Sequence, residues 1–135
     1  MVYFLSDEWI KAFCEELNKS EDYARAAKGW EGDFYFIAEP EGELKEPVFF
    51  YLDLWHGKCR GARLVADEKE ENPAFRLSAP LSVWKKVVRK ELDPIKGIMT
   101  RKLKLKGNMA MVMRYVKGAQ EMVNCATRVP TEFPE

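Results

Sequence analysis

Residues Leu77–Ala126 read LSAPLSVWKKVVRKELDPIKGIMTRKLKLKGNMAMVMRYVKGAQEMVNCA, and their pattern decides the fold. At the centre, Leu103 and Leu105 alternate with Lys102, Lys104 and Lys106. A period of two predicts a short strand over Arg101–Lys106, with one face buried and the other in water. Before it, Pro80 and Ser82 open a helix with Leu81, Trp84, Val87 and Val88 on one side and Lys85, Lys86, Arg89 and Lys90 on the other. Asp93-Pro94 reads as a cap followed by proline at the first helical position, starting a short helix through Thr100. After the strand, Asn108 caps a helix whose Met109, Val112, Met113, Val116 and Ala119 share a face. Apolar side chains are concentrated here and residues suited to catalysis are sparse. The stretch therefore points to holding an apolar molecule and away from cutting or transferring one.

Toward the N-terminus, Ser6 or Asp7 caps a first helix in which Trp9, Phe13 and Leu17 recur four apart, with Ile10 beside them. A second helix, Ser20–Lys28, stops at Gly29. Trp30–Glu39 then switches to period two, with Phe34, Phe36 and Ala38 on one face. Val48–His56 alternates likewise, sending Val48, Phe50, Leu52 and Leu54 inward and Phe49, Tyr51, Asp53 and Trp55 outward. His56-Gly57-Lys58 turns the chain into Cys59–Ala66, and Ala74–Ser78 forms a fourth strand. These four runs follow at hairpin spacing and read as an antiparallel meander. The fifth strand is separated from them by two helices, so it is expected to pair parallel at a sheet edge, where its lysines discourage aggregation.

The predicted architecture is an α+β single domain over residues 1–135: a five-stranded mixed, mostly antiparallel sheet covered on one face by about five helices. No repeat or linker divides it. The chain is long enough to bury a real core, and no run approaches a membrane span. The opening MVYFLSDEWIKAF lacks both the basic leader and the long apolar core of a signal peptide, which predicts a cytosolic location. Cys14, Cys59 and Cys125 are widely spaced and odd in number, and read as reduced packing thiols.

Net charge is zero but unevenly spread: residues 1–72 hold 17 acids and 9 bases, and residues 73–135 hold 5 acids and 13 bases. The plain reading is two solvated faces that attract each other. The sharper one is a basic surface around Lys85, Lys86, Arg89, Lys90, Lys102, Lys104 and Lys106 that meets anionic lipid. Nucleic acid is not expected, because no exposed aromatic platforms interleave these cations.

The residues do not support an enzyme. His56 is the only histidine and sits at a glycine turn with no neighbouring nucleophile; Cys59 is the only plausible partner. One histidine with scattered cysteines cannot make a metal site, the acidic loops lack calcium-loop spacing, and no phosphate cradle is present, so no metal or cofactor is expected. The methionines carry more information. Met99, Met109, Met111, Met113 and Met122 are five of the six in the chain. Unbranched thioethers specify a dense core poorly but line adaptable apolar cavities well.

Ala26-Ala27-Lys28-Gly29-Trp30, the meander, and the succession Leu77-Ser78-Ala79-Pro80, Trp84, Asp93-Pro94, Leu103-Lys104-Leu105-Lys106-Gly107-Asn108 together resemble the sterol carrier protein domain family. The resemblance spans about Glu8 to Ala126 and implies an apolar tunnel between sheet and helices. Such a tunnel takes fatty acids, acyl-CoA, phospholipids, sterols or isoprenoids without catalysis by the domain. Carried onto this chain, its lining would be Phe36, Phe50, Leu52, Trp84, Val88, Ile98, Met99, Leu103, Leu105, Met109, Val112, Met113 and Val116. Arg101, Arg114 or the Lys85–Lys90 face would hold a headgroup at its mouth. The alternative is a protein interaction module or homodimer of the same fold, with a closed cavity and with Tyr35, Phe49, Tyr51 and Trp55 as its interface.

Overall fold

The computed structural model describes residues 1–134. The Ser6 hydroxyl accepts the Trp9 N–H at 3.1 Å and opens α1 (Asp7–Lys19), which buries Trp9, Ile10, Phe13, Cys14 and Leu17 along one stripe. Ser20 closes α1 and caps α2 (Glu21–Ala26), its hydroxyl accepting from the Tyr23 N–H at 3.0 Å. Three strands follow: β2 (Phe34–Glu39), β3 (Val48–Trp55) and β4 (Lys58–Val65), after a two-residue β1 (Val2–Tyr3) at the chain start. A 3-10 turn (Glu68–Glu70) leads to β5 (Phe75–Pro80), α3 (Leu81–Val88), α4 (Pro94–Met99), β6 (Lys104–Lys106), α5 (Met109–Met113), α6 (Val116–Ala126) and β7 (Thr131–Glu132). Asp93 and Asn108 cap α4 and α5 through their side chains, as expected from the sequence.

The sheet runs β4-β3-β2-β5-β6 and is mixed. Here the structure corrects the meander. Only β2, β3 and β4 are antiparallel neighbours; β5 lies parallel to β2, with Phe34 opposite Phe75 and Phe36 opposite Leu77. The last strand sits at the edge as expected, but antiparallel to β5, with Leu77 opposite Leu105. The strand after the acidic loop thus returns beside the first one. Hairpin spacing cannot reveal this, because the 3-10 turn reverses the chain across the outer face of the sheet. β1 and β7 pair in parallel and tie the two chain ends together.

The helices cover one face of the sheet. The other face carries Tyr35, Phe49 and Tyr51, and these are not the exposed aromatics expected of an interface; of that expected set only Trp55 is exposed. Tyr35 is 0% exposed. Its hydroxyl donates to the Glu68 carbonyl at 2.8 Å and accepts from the Glu71 N–H at 3.0 Å. The Tyr51 hydroxyl donates to Asp33 at 2.8 Å, and the guanidiniums of Arg76 and Arg63 lie over the Tyr35 and Tyr51 rings.

Cys14 on α1 and Cys59 on β4 are joined as a disulfide, with Cα atoms 5.6 Å apart, and only Cys125 is free and buried. This overturns the expectation of three reduced thiols. The pairing follows from α1 packing across β4, a contact that spacing along the chain does not encode. The Asn18 side chain reinforces it, exchanging two hydrogen bonds with the Cys59 backbone at 2.8 and 2.9 Å. Among the described residues, only Arg76–Glu68 and Lys104–Glu39 join the acidic and basic halves of the chain as ion pairs. Direct pairing between the two halves is confined to these contacts among the described residues.

Candidate functional site

Sheet and helices do not close fully on each other; between them lies a cavity of about 110 Å³. The sheet supplies Phe34, Phe36 and Ala38 from β2, Phe50 from β3, Leu77 from β5 and Leu105 from β6. Opposite these stand Phe4, Trp9 and Phe13 from the N-terminal segment, Trp84, Val87 and Val88 from α3, and Pro94, Ile95 and Ile98 from α4. Val112 of α5 and Ala119, Met122, Val123 and Ala126 of α6 complete the wall. Every one of these side chains is apolar. The two indoles direct their N–H groups out of the cavity: Trp84 to the Ile37 carbonyl at 2.8 Å, Trp9 to the Thr131 hydroxyl at 2.9 Å.

A second cavity of about 60 Å³ adjoins the first, sharing Phe34, Val112, Ala119 and Met122 with it. Tyr23, Trp30, Leu54 and Tyr115 are among its further walls. Cavities lined by apolar side chains stay dry. The lining of the larger cavity carries no nucleophile and no ligand for a metal, whereas the smaller one is bordered by the phenols of Tyr23 and Tyr115. A wall of this kind suits the removal of an apolar group from water.

The expected lining residues divide. Phe36, Phe50, Trp84, Val88, Ile98, Leu105 and Val112 face the cavity. Leu52 is wholly buried in the core beside it, and Leu103 is buried beneath α4, where its side chain packs on Gly97. The alternation with lysines puts Leu103 on the fifth strand, but that strand begins one residue later. Met99 ends α4 and is 70% exposed, and Met109 is largely exposed at the start of α5. Met113 and Val116 are half-buried and pack against the core without lining the cavity.

The cause is a break in the expected helix. Tyr115 leaves helical geometry between α5 and α6 and sets its ring edge-on to Trp30, centroids 5.2 Å apart. The stripe is thus cut in two: of its five members only Val112 and Ala119 line the cavity, and Met122, Val123 and Ala126 of α6 join them there. Arg101 and Arg114 lie exposed outside the cavity. Lys85 and Arg89 stand over the Phe133 ring instead, at 5.7 and 4.9 Å.

Sequence reasoning missed the aromatic wall from the N-terminus. Phe4 meets Trp9 edge-on at 4.8 Å, and Trp9 stacks on Phe13 at 5.4 Å. The signal was present as three large rings within ten residues, more than a short helix needs for docking. The remaining candidate for chemistry is dismantled by the fold. Cys59 is held in the disulfide, and His56 is an exposed turn residue bonded to Glu31 at 2.6 Å. Among the described residues no group of His, Cys, Asp and Glu could hold a metal ion, and no helix is long and apolar enough to cross a membrane.

An α+β shell around a wholly apolar cavity can be compared with known proteins. The SCP-2 sterol transfer family matches residues 10–120. The chain belongs to this family. Within the SCP-2 family, a crystal structure of sterol carrier protein 2 is 37% identical, with a TM-score of 0.85 over 93% of this chain and 98% of that one. The solution structure of a conserved hypothetical protein from Thermus thermophilus, described as possibly a sterol carrier protein, is 36% identical; its TM-score is 0.86 over 95% of this chain and 90% of that one. Sterol carrier protein 2 from Yarrowia lipolytica shares the fold at 18% identity, with a TM-score of 0.59 over 87% of this chain and 88% of that one. A sequence search of curated proteins returns no match. The SCP-2 fold serves lipid binding and transfer, and the cavity described above lies between its sheet and its helices.

Proposed function

We propose that the protein is a non-catalytic carrier that holds the alkyl or isoprenoid tail of a lipid in this cavity. Fatty acid, acyl-CoA and phospholipid tails are the chemistries it would accept. The observation that carries the reading is the uniformly apolar wall, with both indole N–H groups satisfied elsewhere. Binding would then be driven by burial, at about 25 cal/mol per Å² removed from water, or roughly 0.8 kcal/mol per methylene. Because no polar side chain enters the cavity, a headgroup would stay at the surface and contribute little discrimination. Phe36, Phe50, Trp84, Val88, Ile98, Leu105 and Val112 are the sequence-derived residues we assign to the tail.

The test is a titration with saturated fatty acids of increasing length, competing against a fluorescent fatty acid, beside lipid extraction of the purified protein. Affinity should rise about fourfold per methylene over the part of the series that fits. A flat series, or extraction of no lipid from protein that binds none in titration, would refute the carrier reading. Acyl-CoA should be bound and recovered intact; thiol release above background would point to an enzyme instead.

A further inference from the structure

The cavity is smaller than a long alkyl chain, so a carrier of such chains must move part of its wall. One segment is built to do so. α4 contributes Pro94, Ile95 and Ile98 to the lining. It is bracketed by Lys90 at φ +61° and Arg101 at φ +62°. Both are left-handed positions that side chains of this type rarely adopt. Among the described residues His56 is the only other non-glycine residue of this kind, and it belongs to a hairpin turn.

The ties of the segment are local. Glu91 and Leu92 donate backbone N–H groups to the Lys86 carbonyl, and Lys102 and Leu103 donate to the Gly97 carbonyl. Among the described residues no side-chain hydrogen bond or ion pair runs from residues 90–102 to the sheet or to another helix. Apolar packing alone presses it onto the cavity.

Its outer surface is as distinctive. Met99 is 70% exposed on it. Lys90, Lys96, Arg101 and Lys102 surround that side chain in sequence, all exposed and without a carboxylate partner among the described residues. Glu91 and Asp93 are the acids of the segment, and Asp93 is engaged as the α4 cap. By contrast Arg60, Arg63 and Arg76 are each paired with a carboxylate. An exposed apolar side chain on a segment with four unpaired cations and two acids matches an anionic bilayer, whose headgroups attract lysines and whose acyl region accepts a thioether.

We propose that the outer surface of α4 docks on an anionic phospholipid surface, and that the segment between Lys90 and Arg101 swings there to admit the alkyl chain. This rests on the carrier reading and adds to it where, and against what, the cavity opens. Docking is separable from binding, because the cations lie outside the cavity.

The experiment compares co-sedimentation with phosphatidylglycerol and phosphatidylcholine vesicles, using full-length protein. The triple variant Lys96→Glu, Arg101→Glu, Lys102→Glu is set against a charge-matched control, Lys28→Glu, Lys45→Glu, Lys58→Glu, on exposed cations elsewhere. Wild type should bind phosphatidylglycerol at least tenfold better than phosphatidylcholine and release at high salt. The triple variant should lose at least tenfold and the control less than threefold. Met99→Asp should weaken docking and slow transfer of a fluorescent fatty acid to phosphatidylglycerol vesicles, while leaving its solution affinity within twofold. Equal loss in the control, or equal wild-type binding to both vesicle types, overturns the proposal. So does a wild-type dimer, free of vesicles, that Met99→Asp dissociates, since the patch would then serve a second copy of the chain. If vesicle docking behaves as expected but no fatty acid binds in solution, the carrier reading and the opening of the segment fail together and only the docking surface stands.

Discussion

On the inner face of the sheet Phe34, Phe36 and Phe50 line a cavity, while one residue away along the same strands Tyr35, Phe49 and Tyr51 build a sealed layer. The difference lies in what completes each ring. Outside, the tyrosine hydroxyls find the Glu68 carbonyl, the Glu71 N–H and Asp33, and arginines close over the rings. Inside, phenylalanines have nothing to anchor, and facing helices with alanines at 119 and 126 leave space. A polar, fully bonded side of the sheet keeps the backbone in place, so that the apolar side can be left underfilled.

The largest expected effect removes the covalent tie behind the inner layer. Cys14→Ala should cost about 4 kcal/mol in non-reducing buffer for a loop of 45 residues, and only about 1 kcal/mol, the packing of a buried sulfur, in excess reductant. Denaturant unfolding under both conditions checks it; equal cost in both would mean the bond is not formed. The second effect fills the inner face. Ala119→Phe should lower affinity for a long-chain fatty acid at least about thirtyfold, the worth of two to three buried methylenes, with a stability change of about 1–3 kcal/mol. Unchanged affinity in a folded variant would place the ligand elsewhere.

The third acts on the outer face alone. Tyr35→Phe leaves the Glu71 N–H and the Glu68 carbonyl without their partner, at about 1–3 kcal/mol, and fatty-acid affinity should not move. A change in affinity would show that the two faces are coupled. The smallest effect is one of pH. Asp7 is held below the usual carboxylate range, first by its bond to Lys11, then by the Leu64 N–H. A depressed folded-state pKa gives stability that is present above the unfolded value near 3.9 and is lost as pH falls through the folded one. Asp7→Asn should therefore flatten the acid limb of the stability profile below about pH 4 and leave its slope at neutral pH unchanged.

Much of this was legible in the chain because it is local. Asp93-Pro94 and Asn108 mark helix starts through their own side chains, and the alternation of β2 and β3 names the inward rings correctly. The parallel partnership of β2 and β5, the Cys14–Cys59 bond and the arrival of Phe4, Trp9 and Phe13 at the cavity are contacts between distant segments. No period reports such contacts. The methionine helix failed for a subtler reason. α5 is a single five-residue turn that buries only Val112, and Tyr115 turns aside to meet Trp30 before α6 begins, so one stripe does not run through both helices.

Met122 belongs to both cavities at once, together with Val112, Ala119 and Phe34. Of these four it is the one with three rotatable bonds, so it is the part of the boundary between the chambers that can yield at least cost. A short guest would stop against it, whereas a longer one would turn the thioether aside and gain the second chamber. The rise in affinity with chain length should therefore be interrupted by one pause, where the guest first meets Met122, and Met122→Ala should remove the pause and leave one continuous slope.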